Sequence, residues 1–450
     1  MINSPLFKEK NLLYDEDSLP PIGLGYIATH LQDNGIDVDL IDAVYEKLPL
    51  RDLISYLNYL KPEFVAANIF TTNYDLVQEL FESLKFSAHF IIGGLSTKEL
   101  HKSIVGWKTN NLVDIVIGDG ELITLDIVND RLQQEPMISL NNFRVFKVDG
   151  SSKYYVNDIS RQKLNRGFFL NEPVRHPFGF IEANIVASRG CIYSCTFCAA
   201  ARSLNKEYPI RERSEESLIE ELSEIQAKYP AVNSIRVLDD LFLKNSRIIG
   251  KAINVFSRVN FQWRSMAHVL TFQNADQSML NALKESGCKE LFIGIESGSP
   301  RVLRSINKTH NVDTIIDNLT KVFKAKIDIK GYFIFGFPDE TEEEMEMTYQ
   351  LAKKLSEIAR SEGVSFRTSV FQYRPYHATE IFYDLADEGK ALQVEQVTAN
   401  EALSHMVGRI QFNFHSGNYS AVDSETLYGY IYRTTNLNDS GLFKGLEPLD

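Results

Sequence analysis

The chain predicts two α/β domains: a doubly wound, Rossmann-like parallel sheet, followed by a partial barrel of six βα units and a small C-terminal region. Three observations carry this prediction. Short apolar runs alternate with helix-period segments from about residue 20 to 130, and a second such series starts at "FIEANIVAS". Strands separated by helices imply parallel sheets, because a parallel neighbour needs a crossover. Several runs of the first series also end in glycine, at Gly93, Gly94, Gly118 and Gly120. In open parallel sheets that is the end where ligands bind.

Taken in order, the first strand is very short, Ile2 to Pro5. "PIGLGYIATHLQDNG" reads as a helix ended by Gly35, a residue that tolerates the left-handed turn of a C-terminal cap. "IDVDLIDA", "FVAANIF", "HFIIGG" and "VDIVIGDGE" read as strands, with "DLISYLNYLK" and "YDLVQELFESLK" as helices between them. Residues 131–180 have weak periodicity and read as a connector with hairpin character in "FRVFKVDGSSKYYV". The barrel, 181–390, takes its later strands from "SIRVLD", "FQWRSMAH", "ELFIGIES", "IKGYFIFGFP" and "VSFRTSVFQYRP". "EESLIEELSEIQAKY", with Ser214 as its N-cap, and "EEEMEMTYQLAKKLSEIAR" are its clearest helices. Six units fall short of the eight that close a barrel. Residues 391–450 form an extension with a polar "NFHSGNYS" stretch.

Composition narrows the function. Apolar residues, at 44%, are interleaved with charged ones, and there is no apolar run long enough to span a membrane. No basic stretch followed by an apolar one opens the chain, so a cytoplasmic protein is expected. Four cysteines do not make a disulfide framework and fit a reducing compartment. A net charge of −13 argues against a nucleic-acid partner, since phosphate binding needs a basic surface.

Three of the four cysteines, Cys191, Cys195 and Cys198, crowd into "ASRGCIYSCTFCAAA", directly after a barrel strand. Thiolates are soft ligands that favour iron–sulfur clusters or zinc. A closed zinc site needs four ligands, and a C-x-x-C redox pair leaves Cys191 without a role. A [4Fe–4S] cluster held by three cysteines keeps one iron open for a ligand. Cys288, in "KESGCKELF", lies at the opposite end of the barrel and reads as a small buried hydrophobe.

This C-x3-C-x2-C loop, with Phe197 before its last cysteine, resembles the signature of the radical S-adenosylmethionine (SAM) superfamily, whose fold is also a partial (β/α)6 barrel. "PPIGLGYIATHLQDNGIDVDLIDA", "FIIGGLST" and "VDIVIGDGE" resemble the cobalamin-binding domain of one subgroup, as do "VLDDLFL", "LFIGIESGS" and "YFIFGFPDETEEE" its barrel. The resemblance implies an enzyme that cleaves SAM reductively to a 5′-deoxyadenosyl radical, which takes hydrogen from an unactivated carbon. It implies a [4Fe–4S] cluster on the three cysteines, SAM on the open iron, and cobalamin in residues 1–130, near Gly93, Gly94 and Gly118. A small-molecule substrate and a reducing partner such as flavodoxin or ferredoxin follow.

Carried over residue by residue, Asp239 and Asp240 end the second barrel strand, where the SAM amino group is met. Glu296 and Ser297 end the fourth, where ribose or carboxylate is met, and Gly336 to Pro338 end the fifth, near the adenine. Arg264 and His268, on or just after the third strand, are candidates to face SAM or substrate. Arg374, Tyr376 and His377 lie past the sixth, at the barrel mouth, where the last two could bind a hydroxylated substrate. Helix capping and loop polarity are the competing readings for all of these.

Two departures bear on function. No Asp-x-His-x-x-Gly motif, the source of a lower-face histidine for cobalamin, occurs in residues 1–180. Cobalamin-dependent methyl transfer is the leading expectation, and a retained scaffold domain with radical dehydration or epimerisation of a sugar or aminoglycoside is the alternative. A non-catalytic metal or cobalamin sensor is the second alternative. A tRNA methylthiotransferase shares the loop spacing, but needs three further cysteines that residues 1–180 do not contain.

Overall fold

The computed structural model describes residues 1–5, 19–176, 179–309, 311–390, 394–396 and 414–437. The first domain is a seven-stranded sheet in the order β2-β1-β3-β4-β5-β7-β6. Its strands are β1 (Ile2–Asn3), β2 (Ile41–Asp42), β3 (Phe64–Asn68), β4 (His89–Gly93), β5 (Leu112–Gly118), β6 (Ile138–Leu140) and β7 (Phe143–Val148). Helices α1 (Ile22–Asp33), α2 (Leu50–Leu60), α3 (Tyr74–Ser83), α4 (Thr97–Ile104) and α5 (Glu121–Val128) cover it. Helices α2, α3 and α4 bury Leu53, Leu80 and Ile104 against Phe90, Ile92, Ile115 and Val145 on one face. On the other, α5 buries Ile123 and Ile127 against Ile91, Val116 and Phe146. Alternate residues of single strands thus serve opposite layers, which explains why these strands read as continuous apolar runs.

Two local expectations change. The strand expected over "IDVDLIDA" shrinks to Ile41–Asp42, because its neighbour β1 offers only two residues to pair with. The hairpin expected within "FRVFKVDGSSKYYV" instead joins β6 to β7 through Asn141, whose positive φ makes the turn. β7 also pairs in parallel with β5, so part of the stretch read as a connector completes the first sheet.

The second sheet runs β16-β15-β14-β13-β12-β9-β8. Six strands, β9 (Ile181–Ile185), β12 (Ser234–Val237), β13 (Gln262–Ala267), β14 (Cys288–Glu296), β15 (Asp328–Phe335) and β16 (Phe366–Gln372), are parallel in sequence order, and β8 (Val174–Arg175) pairs antiparallel with β9. Helices α6 (Glu215–Lys228), α7 (Ser246–Phe256), α8 (Gln277–Glu285), α9 (Pro300–Ser305), α10 (Val312–Lys324) and α11 (Glu342–Ser361) cross between them. Ser214 caps α6 as expected, accepting from the Ser217 N–H. Beyond β16 come α12 (Glu380–Asp387), a two-stranded β17–β18 ladder (Val394–Gln396 with Phe414–Ser416) and α13 (Ser424–Thr435). Leu427, Tyr430 and Ile431 of α13 join the barrel core, and the Thr368 hydroxyl donates to the Thr434 carbonyl. The open side of the half-barrel therefore gains a cover at β16.

Candidate functional site

The cysteine loop hangs from a short antiparallel ladder, β10 (Ser188–Arg189) with β11 (Arg211–Glu212). Between them the chain makes no regular structure and is tied by hydrogen bonds within itself and to the end of α9. The Cys198 N–H donates to the Cys195 carbonyl at 3.1 Å, and the Arg202 N–H to the Tyr193 carbonyl at 2.7 Å. Asn205 Nδ2 donates to the carbonyls of Ala199 and Ala201, and the Thr196 N–H to the Ile306 carbonyl. Phe197 meets Phe337 edge to face at 5.8 Å, joining the loop to the segment after β15. All three thiols are pushed up by burial, Cys198 to about 12. Metal binding must therefore displace their protons.

A single zinc ion draws its sulfur ligands to within about 4 Å of one another. Among the described residues no three cysteine, histidine or carboxylate side chains converge in that way. Thiolates bound to different irons of one cluster need not converge on a point. The donor set, three soft sulfurs on one loop, fits the cluster better than it fits zinc.

The carboxylates at the strand ends divide into two kinds. Asp239 accepts from the Ala187 N–H at 2.7 Å and the Ser188 hydroxyl at 2.6 Å, so both its oxygens hold the root of the loop. Burial raises it to about 6. It anchors the loop where a contact with the SAM amino group was expected. Asp240 accepts from the Gly190 N–H at 3.3 Å and lines a cavity of about 120 Å³ with Cys191, Gly190, Tyr208 and Leu95. Ser297 is likewise internal, its hydroxyl shared with Thr348 and the Ser299 N–H. Glu296 is held in the left-handed region at φ 67° and takes the Lys308 ammonium at 2.7 Å. Gly336, at φ 88°, donates its N–H to Glu340, which also accepts from the Phe337 N–H. Burial raises the Glu340 carboxyl to about 8.

Arg264 does not reach the barrel mouth. It is paired with Glu182 at 2.7 and 2.8 Å and with Glu290 at 3.3 Å, in a buried layer completed by Arg367. His268 stacks on Tyr193 of the cysteine loop, ring centres 3.8 Å apart. Burial and the Lys308 charge hold it far below the ordinary imidazole range. Tyr376 bonds Arg374. His377 meets the Thr71 hydroxyl of the first domain at 3.1 Å, which makes it an interdomain contact. Cys288 is fully buried in the barrel core, the place of a small hydrophobe.

Sequence reading missed Lys308 and Glu340. Each is one charged residue in a polar stretch, and only the fold buries it. It also missed the clamp that joins the domains. Arg189, next to the loop, pairs with Asp119 and Glu121 just beyond Gly118, and Arg211 pairs with Asp119. Tyr26 lies under the Arg189 guanidinium at 5.6 Å.

The strand ends of the first domain face this clamp. Gly94 and Gly118 have φ of +113° and +108°, and a side chain on either would strike the backbone of Ile69 or Val148. Gly93 has no atom within 4 Å of where a Cβ would stand. Phe70 and Leu95 are 38% and 56% exposed there. Across β2, β1 and β3 the last residues form a row. Asn68 Nδ2 donates to Asn3, and Asn3 Nδ2 to Asp42. Asn68 Oδ1 and Asp42 Oδ2 are buried and have no donor among the described residues. Open space at a glycine, exposed apolar side chains and spare acceptors fit a large ring edged with amides, as cobalamin is.

These features define a radical SAM enzyme. The radical SAM superfamily model matches residues 185–352, and the B12 binding domain model matches residues 14–128. An uncharacterized methyltransferase of Pyrococcus horikoshii is 30% identical over 365 residues, 75% of this chain and 73% of that protein. The cytidylyl-2-hydroxyethylphosphonate methyltransferase of Streptomyces wedmorensis is 21% identical over 396 residues, 74% of this chain and 73% of that protein. The structure of the radical SAM methyltransferase TsrM from Kitasatospora setae aligns with a TM-score of 0.64 at 14% identity, over 97% of this chain and 88% of that one. The cobalamin-dependent SAM radical enzyme OxsB aligns at 0.62 and 14%, over 90% and 62%. The chain belongs to the radical SAM superfamily, in the subgroup that carries an N-terminal B12-binding domain. Its cofactors are those of the two domains: a [4Fe–4S] cluster with SAM, and cobalamin.

Proposed function

We propose that this enzyme transfers a methyl group to an unactivated carbon of a small molecule, with Cys191, Cys195 and Cys198 as cluster ligands. The observation that carries the reading is the position of the cysteine loop. Cys191 and Leu95 line one cavity, and Arg189 pins the loop to Asp119 and Glu121 beside the glycines of the B12-binding domain. When bound, the cluster supplies the electron that cleaves SAM, and cobalamin supplies the methyl carrier. The chain's own residues do the rest. Asp239 holds the loop root, Glu296 and Asp240 offer carboxylates to SAM, and Glu340 bends the Gly336–Pro338 turn that would face adenine. The methyltransferases among the relatives support methylation over dehydration, epimerisation or a sensor role.

A reduced flavodoxin or ferredoxin would supply the electron. No described helix is long and apolar enough to cross a membrane, and a cytoplasmic setting suits an oxygen-labile cluster. The test is the metal and cofactor content of protein purified without oxygen from cobalamin-fed cells. About four irons and one cobalamin per chain support the reading; iron without cobalamin would shift it to radical elimination or epimerisation. Retained SAM cleavage in Cys195→Ala would refute the cysteine assignment.

A further inference from the structure

His268 stands at the carboxyl end of β13 and is 6% exposed. Its Nδ1 accepts the Leu270 N–H at 3.1 Å. A nitrogen that accepts carries no proton, so the neutral ring must hold its proton on Nε2. That Nε2 is buried and has no hydrogen-bond partner among the described residues. The ring cannot turn away from this arrangement. One face lies on Tyr193 at 21° between planes, and flipping would forfeit the Leu270 bond. The result is a fixed donor without an acceptor, in a core where such groups are rare.

Its surroundings show where an acceptor would come from. Tyr193 lies between Cys191 and Cys195, on the loop that would present the open iron. Lys308, bound to Glu296 at the end of the next strand, is near enough to help keep the imidazole neutral. The Nδ1 lone pair is already taken by the Leu270 N–H, so donation from Nε2 is the hydrogen-bonding role left to the neutral ring. Resting on the radical SAM reading above, we propose that His268 is a SAM-binding residue whose Nε2–H donates to an acceptor oxygen of the bound cofactor. SAM carries such oxygens on its carboxylate and its ribose. The hydrogen bond fixes the cofactor's pose without contributing charge.

The test uses two variants of the full chain, reconstituted without oxygen. His268→Phe keeps a flat ring against Tyr193 and removes the donor. His268→Gln keeps an N–H close to the position of Nε2. The dissociation constant of radiolabelled SAM is measured by equilibrium dialysis, and cluster content by iron assay and electron paramagnetic resonance. A lost hydrogen bond to a buried acceptor corresponds to a roughly tenfold or greater weakening. We expect that loss in His268→Phe, recovery to within about threefold in His268→Gln, and unchanged cluster content in both. SAM binding by His268→Phe equal to that of the parent overturns the inference, as does loss of cluster and SAM together in both variants, which would make the ring a prop for the loop. A parent enzyme that holds its cluster yet binds no SAM would instead overturn the reading beneath it.

Discussion

Replacing Lys308 by Met should be among the most damaging single changes outside the cysteines. Its ammonium meets Glu296 Oε1 at 2.7 Å, and both side chains are 7% exposed. Burial by itself would lower the lysine, but Glu296 and then the Cys195 sulfur outweigh it and keep the ammonium charged. Removing one partner of such a pair leaves the other as an uncompensated buried charge, which costs about 3–5 kcal/mol. At about 2–4 °C per kcal/mol for a domain of this size, the barrel's melting temperature should fall by roughly 10 °C. Urea unfolding of the metal-free chain in a Trp107→Phe background, followed by tryptophan fluorescence, reports on the barrel, because Trp263 is then the single tryptophan and is buried in the barrel core. The double variant Lys308→Met/Glu296→Gln removes both charges and should recover most of the loss, since a buried pair is worth little against neutral groups of its size. If the single variant lies within about 1 kcal/mol of the parent, or the double variant is worse than the single, the pair is not the buried element described here.

Other outcomes follow from the same geometry. Burial alone would raise Glu182, yet hydrogen bonds from His176 and Arg264 hold it down to about 2. A depressed carboxylate stabilises above its unfolded pKa and loses that contribution as pH falls through the folded one. Barrel stability should therefore drop by about 3 kcal/mol between pH 4.5 and 2, and Glu182→Gln should flatten that part of a urea-unfolding profile. Arg189→Met breaks two interdomain pairs and leaves Asp119 with Arg211 and the Val156 N–H, so limited proteolysis should cut between the domains several-fold faster while iron content is kept. Asn68→Leu removes a spare acceptor, and the visible spectrum of the purified variant should show cobalamin retained at a lower level than in the parent. Cys198→Ala should lose the brown colour and SAM cleavage together.

Periodicity and the cysteine spacing were enough to determine the two-domain α/β plan, the six parallel strands, the cap at Ser214 and the family. These are local signals: alternation of apolar residues, a capping serine, three thiols within eight positions. What chain order cannot carry is which side of a strand end faces the ligand. Asp239 and Asp240 are adjacent and chemically identical, yet the first is consumed by the loop root and the second faces the cavity. Arg264, four residues before His268 on the same chain segment, went to a buried ion-pair layer because Glu290 on the adjacent β14 and Glu182 on β9, one strand beyond β12, both reach it. Lys308, Glu340 and the Arg189 clamp owe their roles to partners 12, 4 and about 70 residues away. Sequence spacing sets which groups are available within a segment. Burial and long-range pairing, which exist only once the chain is folded, set which of those groups are spent on structure and which stay free for SAM, cobalamin and substrate.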